Sequence, residues 1–252
     1  MRFITPIKIS PLAQRRTSGG VSLTQILDIE NEWFMPNVQN ADGNIITIPD
    51  SGSVGGLNLQ NPALANKPTA TTINGLKSYK GDAIDDIITK NITNFGRSYS
   101  GWMANFVINY DASSVYRMLT CFNTANPNKE GFEFIVTTDG ITMHTFNSAG
   151  TSSFPISFGS AIGSVKIVIT FAYTGTNLQI YINGVLRVNS PASNPLLIPT
   201  ATTNLSLIGR IATSSNTLIS TLTDEGYASF GSYNATKLTN NTNTLKALYG
   251  IA

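Results

Sequence analysis

Residues 164–190 read SVKIVITFAYTGTNLQIYINGVLRVNS, and this stretch decides the fold. From Val165 to Tyr173 the odd positions are Val165, Ile167, Ile169, Phe171 and Tyr173, while Lys166 and Thr170 fall on even ones. One face is therefore apolar at the two-residue period of a strand. Thr174-Gly175-Thr176-Asn177 breaks the pattern. Leu178, Ile180 and Ile182 then alternate with Gln179, Tyr181 and Asn183, which predicts a returning strand. Asn183-Gly184 supplies the two positive-φ positions that a type I′ turn requires, so a third strand, Val185 to Val188, pairs straight back.

Outward from this block the same period continues. YSGWMANFVINYD, from Tyr99 to Asp111, sets Trp102, Phe106, Ile108 and Tyr110 on one strand face. Leu119 to Asn123 and Gly131 to Thr137 extend the ladder, and Thr138-Asp139-Gly140 turns the chain into Ile141 to Phe146. Asn147 to Ile162 is rich in Ser and Gly and reads as a connection, with Phe154, Ile156 and Phe158 as its apolar points. Leu205 to Arg210, LSLIGR, resembles the L-x-I-G strand of laminin-G-like jelly rolls. Ahead of the block, Glu32 to Lys80 is turn-rich: Asp42-Gly43, Asp50-Ser51-Gly52, Gly55-Gly56 and Asn74-Gly75 separate short apolar runs such as Ile45 to Ile48.

Residues 1 to about 30 lack this alternation, and Pro6, Pro11, Gly19 and Gly20 punctuate a basic, extended arm. Ser22-Leu23-Thr24-Gln25 fits a capping box, and Leu23, Ile26 and Leu27 share a face, which predicts a short helix from Leu23 to about Ile29. The arm also carries Phe3, Ile4, Ile7, Ile9 and Leu12, more apolar surface than a solvated tail needs, so it is expected to order on a partner. The chain thus divides into an arm over 1–30 and one sandwich domain over 31–252.

Charged residues make up 12% of the chain, against about 25% in ordinary domains, and Thr, Ser and Asn take the polar positions. Such a composition suits strand surfaces and turns. Net charge is +2 and the basic residues do not cluster beyond Arg15-Arg16, so the electrostatic footprint of a nucleic-acid binder is missing. No apolar run approaches the roughly 18 residues of a membrane span, and Pro6, Lys8 and Pro11 interrupt any secretory h-region. Partners are therefore expected to include neither nucleic acid nor membrane. The single cysteine, Cys121, rules out an intramolecular disulfide and reads as a small core residue.

Three further stretches carry a family resemblance. TNLQIYINGVL, from Thr176 to Leu186, resembles the middle of laminin-G-like, concanavalin A-like jelly rolls. The order Trp33, Asp42-Gly43, Ile46-Thr47-Ile48, Asp50-Ser51-Gly52, Asn58-Leu59, Pro68, Ile73-Asn74-Gly75 and Tyr79 to Asp82 resembles the opening of jelly rolls on bacteriophage virion proteins. It departs from that pattern at Ile48-Pro49, where many relatives have an aromatic. Glu225 to Thr239, followed by Leu245 to Gly250, resembles the closing strand and terminal helical turn of laminin-G-like domains. Together the matches span roughly Trp33 to Gly250 in the right order. They imply an all-β, two-sheet antiparallel jelly-roll sandwich.

Candidate chemistry is sparse. A catalytic triad needs a histidine, and His144, on the strand Ile141 to Phe146, has no Asp or Ser at a recognisable spacing. Glycoside hydrolysis needs two carboxyls roughly 5 to 9.5 Å apart, whereas Glu130 and Glu133, three apart on a strand, point to opposite faces. Asp82, Asp85 and Asp86 form the one acidic cluster, but Ca²⁺ takes roughly six to eight oxygens and turn aspartates mostly serve backbone N–H groups. Tyr173, Tyr181 and Tyr227 are candidates for stacking on a sugar, with strand packing as the ordinary alternative. Asn91, Asn204, Asn234 and Asn240 open Asn-x-Ser/Thr triplets, as expected by chance in so Asn- and Thr-rich a chain. No catalytic, cofactor-binding or metal-ligating residue is assigned, and no cofactor is expected.

The resemblance implies a non-enzymatic structural component of a phage virion, in capsid, tail or fibre. The arm would attach it to other virion proteins as a homo-oligomer, and the sandwich would be displayed toward host-surface glycans. A stand-alone carbohydrate-binding, lectin-like module is the alternative.

Overall fold

A computed structural model of the chain describes residues 15–16, 22–23, 25–40, 46–82, 84–93, 95, 99–110, 116–122, 131–137, 140–147, 150–157, 165–192, 203–211, 218–220 and 224–252. Among them two antiparallel sheets face each other. Sheet I has eight strands, running from edge to edge Val185–Pro191, Asn177–Ile182, Val165–Tyr173, Trp102–Tyr110, Asp224–Ser232, Leu76–Lys80 and Thr69–Ile73, with Asn31–Phe34 also pairing on Asp224–Ser232. Sheet II has nine: Gly150–Ser157, Gly140–Asn147, Gly131–Thr137, Tyr116–Phe122, Thr203–Leu207, Ile88–Ile92, Leu59–Gln60, Ile46–Ile48 and Gln39–Asn40. The expected two-sheet sandwich is the observed fold.

The 164–190 block forms as its alternation dictates. Ile167, Ile169, Phe171, Leu178, Ile180 and Ile182 are all buried in the core between the sheets. Asn183 (φ 51°) and Gly184 (φ 83°) make the left-handed turn, and Asn74 (φ 49°) and Gly75 (φ 85°) repeat that chemistry between Thr69–Ile73 and Leu76–Lys80. Trp102, Phe106, Ile108 and Tyr110 point into the same core. Phe134 of sheet II meets them there, with ring centroids 4.6 Å from Phe171, 5.5 Å from Phe106 and 5.7 Å from Trp102. Such tilted aromatic pairs add about 0.5–1.5 kcal/mol each beyond the area they bury.

Sheet I is buried on its other face as well. Met103, Val107, Val168, Ala172 and Tyr227 pack there against Leu238, Leu245 and Tyr249 of a C-terminal helix, Ala235–Tyr249. Asn234 caps it, its side chain accepting from Lys237 N, and Gly250 (φ 59°) ends it in the left-handed conformation. The expected terminal turn is thus a 15-residue helix. TKLTNNTNT is poor in helix formers, so propensity hides the helix, and burial of its apolar stripe against sheet I supplies the stability.

Two further expectations are corrected. No helix forms over Leu23 to Ile29: Ser22–Leu23 pairs with Arg15–Arg16 as a two-stranded sheet of its own, and residues 27–30 form bends. Ile26 N and Leu27 N donate to the Glu32 carboxylate instead of to helical carbonyls, and Leu27 and Ile29 are buried under the C-terminal helix. The stretch read as a connection from Asn147 to Ile162 contains the strand Gly150–Ser157, paired along its whole length with Gly140–Asn147. Pro155 disguises it, because proline is tolerated only on an edge strand, and this is the edge of sheet II.

The Asp50-Ser51-Gly52 turn ties the start of the sandwich together. The Asp50 carboxylate accepts from Asn31 Nδ2, Glu32 N, Gly52 N and Leu57 N. Glu32 beside it is fully buried and accepts from Ile26 N, Leu27 N, Ser51 Oγ and Tyr227 Oη. Burial raises the Glu32 pKa, against the opposing pull of these four donors.

Candidate functional site

Alternation on the strand Asn177–Ile182 sends Leu178, Ile180 and Ile182 into the core, which leaves Gln179 and Tyr181 facing the helix side of sheet I. Tyr233 enters the same space directly after the strand Asp224–Ser232, with its N–H held by Gly101 O at 3.0 Å. Both rings are half-buried. Between them and the flank of the helix lies a cleft of about 190 Å³, lined also by Gly184, Leu238, Thr239 and Thr242. Its lining side chains carry no charge. Partial burial raises the Tyr181 pKa, and the nearby Tyr233 adds to the shift, so the Tyr181 ring is a neutral phenol at ordinary pH.

From this cleft a row of amides runs outward. Tyr181 Oη donates to Gln179 Oε1 at 2.8 Å, Gln179 Nε2 donates to Asn189 Oδ1 at 3.3 Å, and Asn177 Nδ2 donates to the same oxygen at 2.9 Å. Asn189 is exposed and lies on the edge strand Val185–Pro191. The arrangement offers aromatic faces for apolar C–H surface and, beside them, amides that both donate and accept.

The other sequence candidates are placed as follows. Tyr173 and Tyr227 are buried, their hydroxyls held by Gly175 O and Glu32 Oε1, so neither can stack on a ligand. Cys121 is buried in the core and its thiol is pushed up to about 12 by burial, which leaves it inert. Asn234 serves as the helix cap. Glu130 lies outside the described residues.

His144 has an acidic neighbour that its own strand does not supply. The register that closes Thr137 on Gly140 sets Glu133 opposite His144 across two strands, with Glu133 Oε1 3.3 Å from His144 Nδ1. Arg117 Nε donates to Glu133 Oε2 at 3.2 Å from the strand on the other side. The hairpin register sums could have revealed the Glu133–His144 pair, whereas Arg117 depends on a bulge that shifts its strand between Arg117 and Leu119. With the Glu133 side chain only 3% exposed, this cluster pins three strands of sheet II together.

Asp82, Asp85 and Asp86 do converge, with one carboxylate oxygen of each within 4.8 Å of the others. Asp82 Oδ1 is committed to Ile84 N and Asp85 N, an Asx turn, and burial together with the Asp82 charge pushes Asp86 up to about 6. Three carboxylates fall well short of the roughly six to eight oxygens that Ca²⁺ takes. A broader cleft of about 460 Å³ beside Asn58, Gln60, Thr89 and Asn91 has no aromatic wall, and Lys90 there is tied to Gly56 O.

No protein-family model matches the chain, and no curated protein matches it significantly. Its fold is similar to the receptor binding domain of the botulinum neurotoxin C/D mosaic serotype, with TM-score 0.58 and 11% identity over 86% of this chain and 51% of that one. The binding domain of botulinum neurotoxin DC, in complex with SialylT, gives TM-score 0.54 and 14% identity over 82% and 50%. A Trypanosoma rangeli sialidase gives TM-score 0.54 and 11% identity over 95% and 36%. The chain spans about half the length of the toxin domains and about a third of the sialidase. At these identities the likeness is one of fold.

Proposed function

We propose that this chain is a non-enzymatic carbohydrate-binding β-sandwich. The observation that carries the reading is the Tyr181–Tyr233 cleft opening onto the Gln179–Asn189–Asn177 amide row. Paired aromatic rings take the C–H face of a pyranose, and neighbouring amides answer its hydroxyls. The similar fold of a neurotoxin binding domain in complex with SialylT supports a glycan ligand for this sandwich. Binding of the full-length chain to a mixed glycan array, above the signal of the heat-denatured chain, tests it. An array without signal across neutral and acidic glycans would remove this reading.

A second reading, a phage virion component displaying such a sandwich as a homo-oligomer, rests on the sequence resemblance between Trp33 and Gly250. It is favoured by one observation: Arg15–Arg16 and Ser22–Leu23 pair with each other in a sheet separate from both main ones, as an attachment arm would. Mass spectrometry of purified particles tests it by the presence and copy number of this chain.

A further inference from the structure

We infer that the cleft takes an uncharged oligosaccharide, about two or three pyranose rings long, laid along the strand Asn177–Ile182 with one ring seated between Tyr181 and Tyr233. This rests on the carbohydrate-binding reading and adds the ligand's charge, length and direction.

The charge follows from what surrounds the cleft. Its lining holds Tyr, Thr, Leu and Gly but no Arg, Lys or His, and the amides beyond it are neutral. Lys246, three residues past the cleft-lining Asn243, is bonded to Asn183 O, and Lys237 pairs with Asp28. At the start of the helix, whose first residue Ala235 also lines the cleft, Lys237 N is taken by Asn234 Oδ1 and Leu238 N by Asn234 O. A carboxylate desolvated in the cleft would find no guanidinium or ammonium among its lining residues, Arg187 lying exposed on the adjoining edge strand, whereas sugar hydroxyls would meet phenols, hydroxyls and amides.

Length and direction follow from strand geometry. Tyr181, Gln179 and Asn177 share one face, and four residues of strand cover roughly 13–14 Å, room for about two or three rings. The cleft itself, at about 190 Å³, is smaller than the roughly 300–1,000 Å³ of sites that enclose larger ligands, so it accommodates a single ring and leaves the rest of the chain on the open amide row. Asn189 Oδ1 already accepts from both Gln179 and Asn177, so those amides are held in place before any sugar arrives.

The experiment measures the full chain on mono-, di- and trisaccharides of glucose, galactose, mannose and N-acetylglucosamine, beside sialylated and glucuronate-bearing counterparts. Four variants accompany it: Tyr181→Ala, Thr239→Trp, which fills the cleft from an exposed helix position, Gln179→Ala and Asn177→Ala. The expected result is binding of at least one neutral trisaccharide series, tighter than its monosaccharide. Tyr181→Ala and Thr239→Trp should each weaken it at least tenfold, with the Thr239→Trp melting midpoint unchanged. Gln179→Ala and Asn177→Ala should weaken the trisaccharide a few-fold and the monosaccharide not at all. Binding confined to acidic glycans and lost in Thr239→Trp would overturn the neutral class while leaving the carbohydrate reading intact. Neutral binding indifferent to Tyr181→Ala and Thr239→Trp would overturn the site. Silence across the whole set would overturn both readings together.

Discussion

Tyr116 Oη, from sheet II, donates to Glu225 Oε2, from sheet I, at 2.6 Å, a hydrogen bond made across the core between two fully buried side chains. The second Glu225 oxygen, Oε1, has no partner among the described residues. Burial raises the Glu225 pKa well above its ordinary value, outweighing the lowering by the Tyr116 hydroxyl and the Ile208 N–H. The carboxyl therefore keeps its proton in the folded state at pH values where the unfolded chain has lost it.

The pH dependence follows with a definite sign. A raised folded pKa contributes stability that is fully present below the unfolded value near 4.5 and is lost as pH climbs toward the folded value. Glu225→Gln is neutral in both states, so the variant should gain on the wild type from pH 5 to pH 8, by at most about 1.4 kcal/mol per pH unit. Tyr116→Phe should cost about 1–3 kcal/mol by orphaning a buried oxygen. Urea unfolding at pH 5, 6.5 and 8 measures both. A constant offset between Glu225→Gln and wild type would mean the carboxyl is ionised in the fold.

The turn at Asn183-Gly184 tolerates little else. Gly184 has φ 83°, and a Cβ there would sit 3.4 Å from Thr242 Cγ2 of the helix. Gly184→Val should lower stability by more than about 1 kcal/mol, because a β-branched residue strongly resists positive φ. An unchanged melting midpoint would contradict the turn geometry.

Gly52 answers to space rather than to φ. A Cβ there would lie 2.3 Å from Glu30 O, a backbone atom that accepts from Val54 N and Gly55 N. Gly52→Ala should therefore cost about 1–3 kcal/mol, and Asp50→Ala should destabilise the same region by stripping four donors of their acceptor. Because the two act on one turn, the double variant should lose less than the sum of the singles.

Removal of the arm separates folding from assembly. Deleting residues 2–20 leaves both main sheets, Glu32 and its contacts from Ile26 and Leu27 in place, so the melting midpoint should change little. If the arm anchors the chain to a particle or to a second copy, incorporation or oligomer formation should be lost, as read by co-sedimentation and light scattering. Normal incorporation of the truncated chain would place attachment on the sandwich.

Local sequence sufficed where strand alternation and turn chemistry agree. Alternation in Val165–Tyr173 and Asn177–Ile182, and the Asn183-Gly184 pair that follows them, specify strands, inward faces and a turn within a few residues, and Ile167, Ile169, Phe171, Leu178, Ile180 and Ile182 are buried accordingly. Tertiary structure decided what depends on distant segments meeting. Val168 and Ala172 are apolar because a helix more than 60 residues later covers them, and that helix is hidden in a Thr- and Asn-rich run until its stripe finds a sheet. Gly150–Ser157 is a strand because an edge position forgives Pro155. Of the three candidate tyrosines, Tyr173 and Tyr227 were withdrawn by burial and Tyr181 kept, and its partner Tyr233 came from the far end of the chain. A binding surface assembled from such pieces has no local signature, because its geometry is set by sheet order and helix docking, long-range contacts to which the period of a strand is blind.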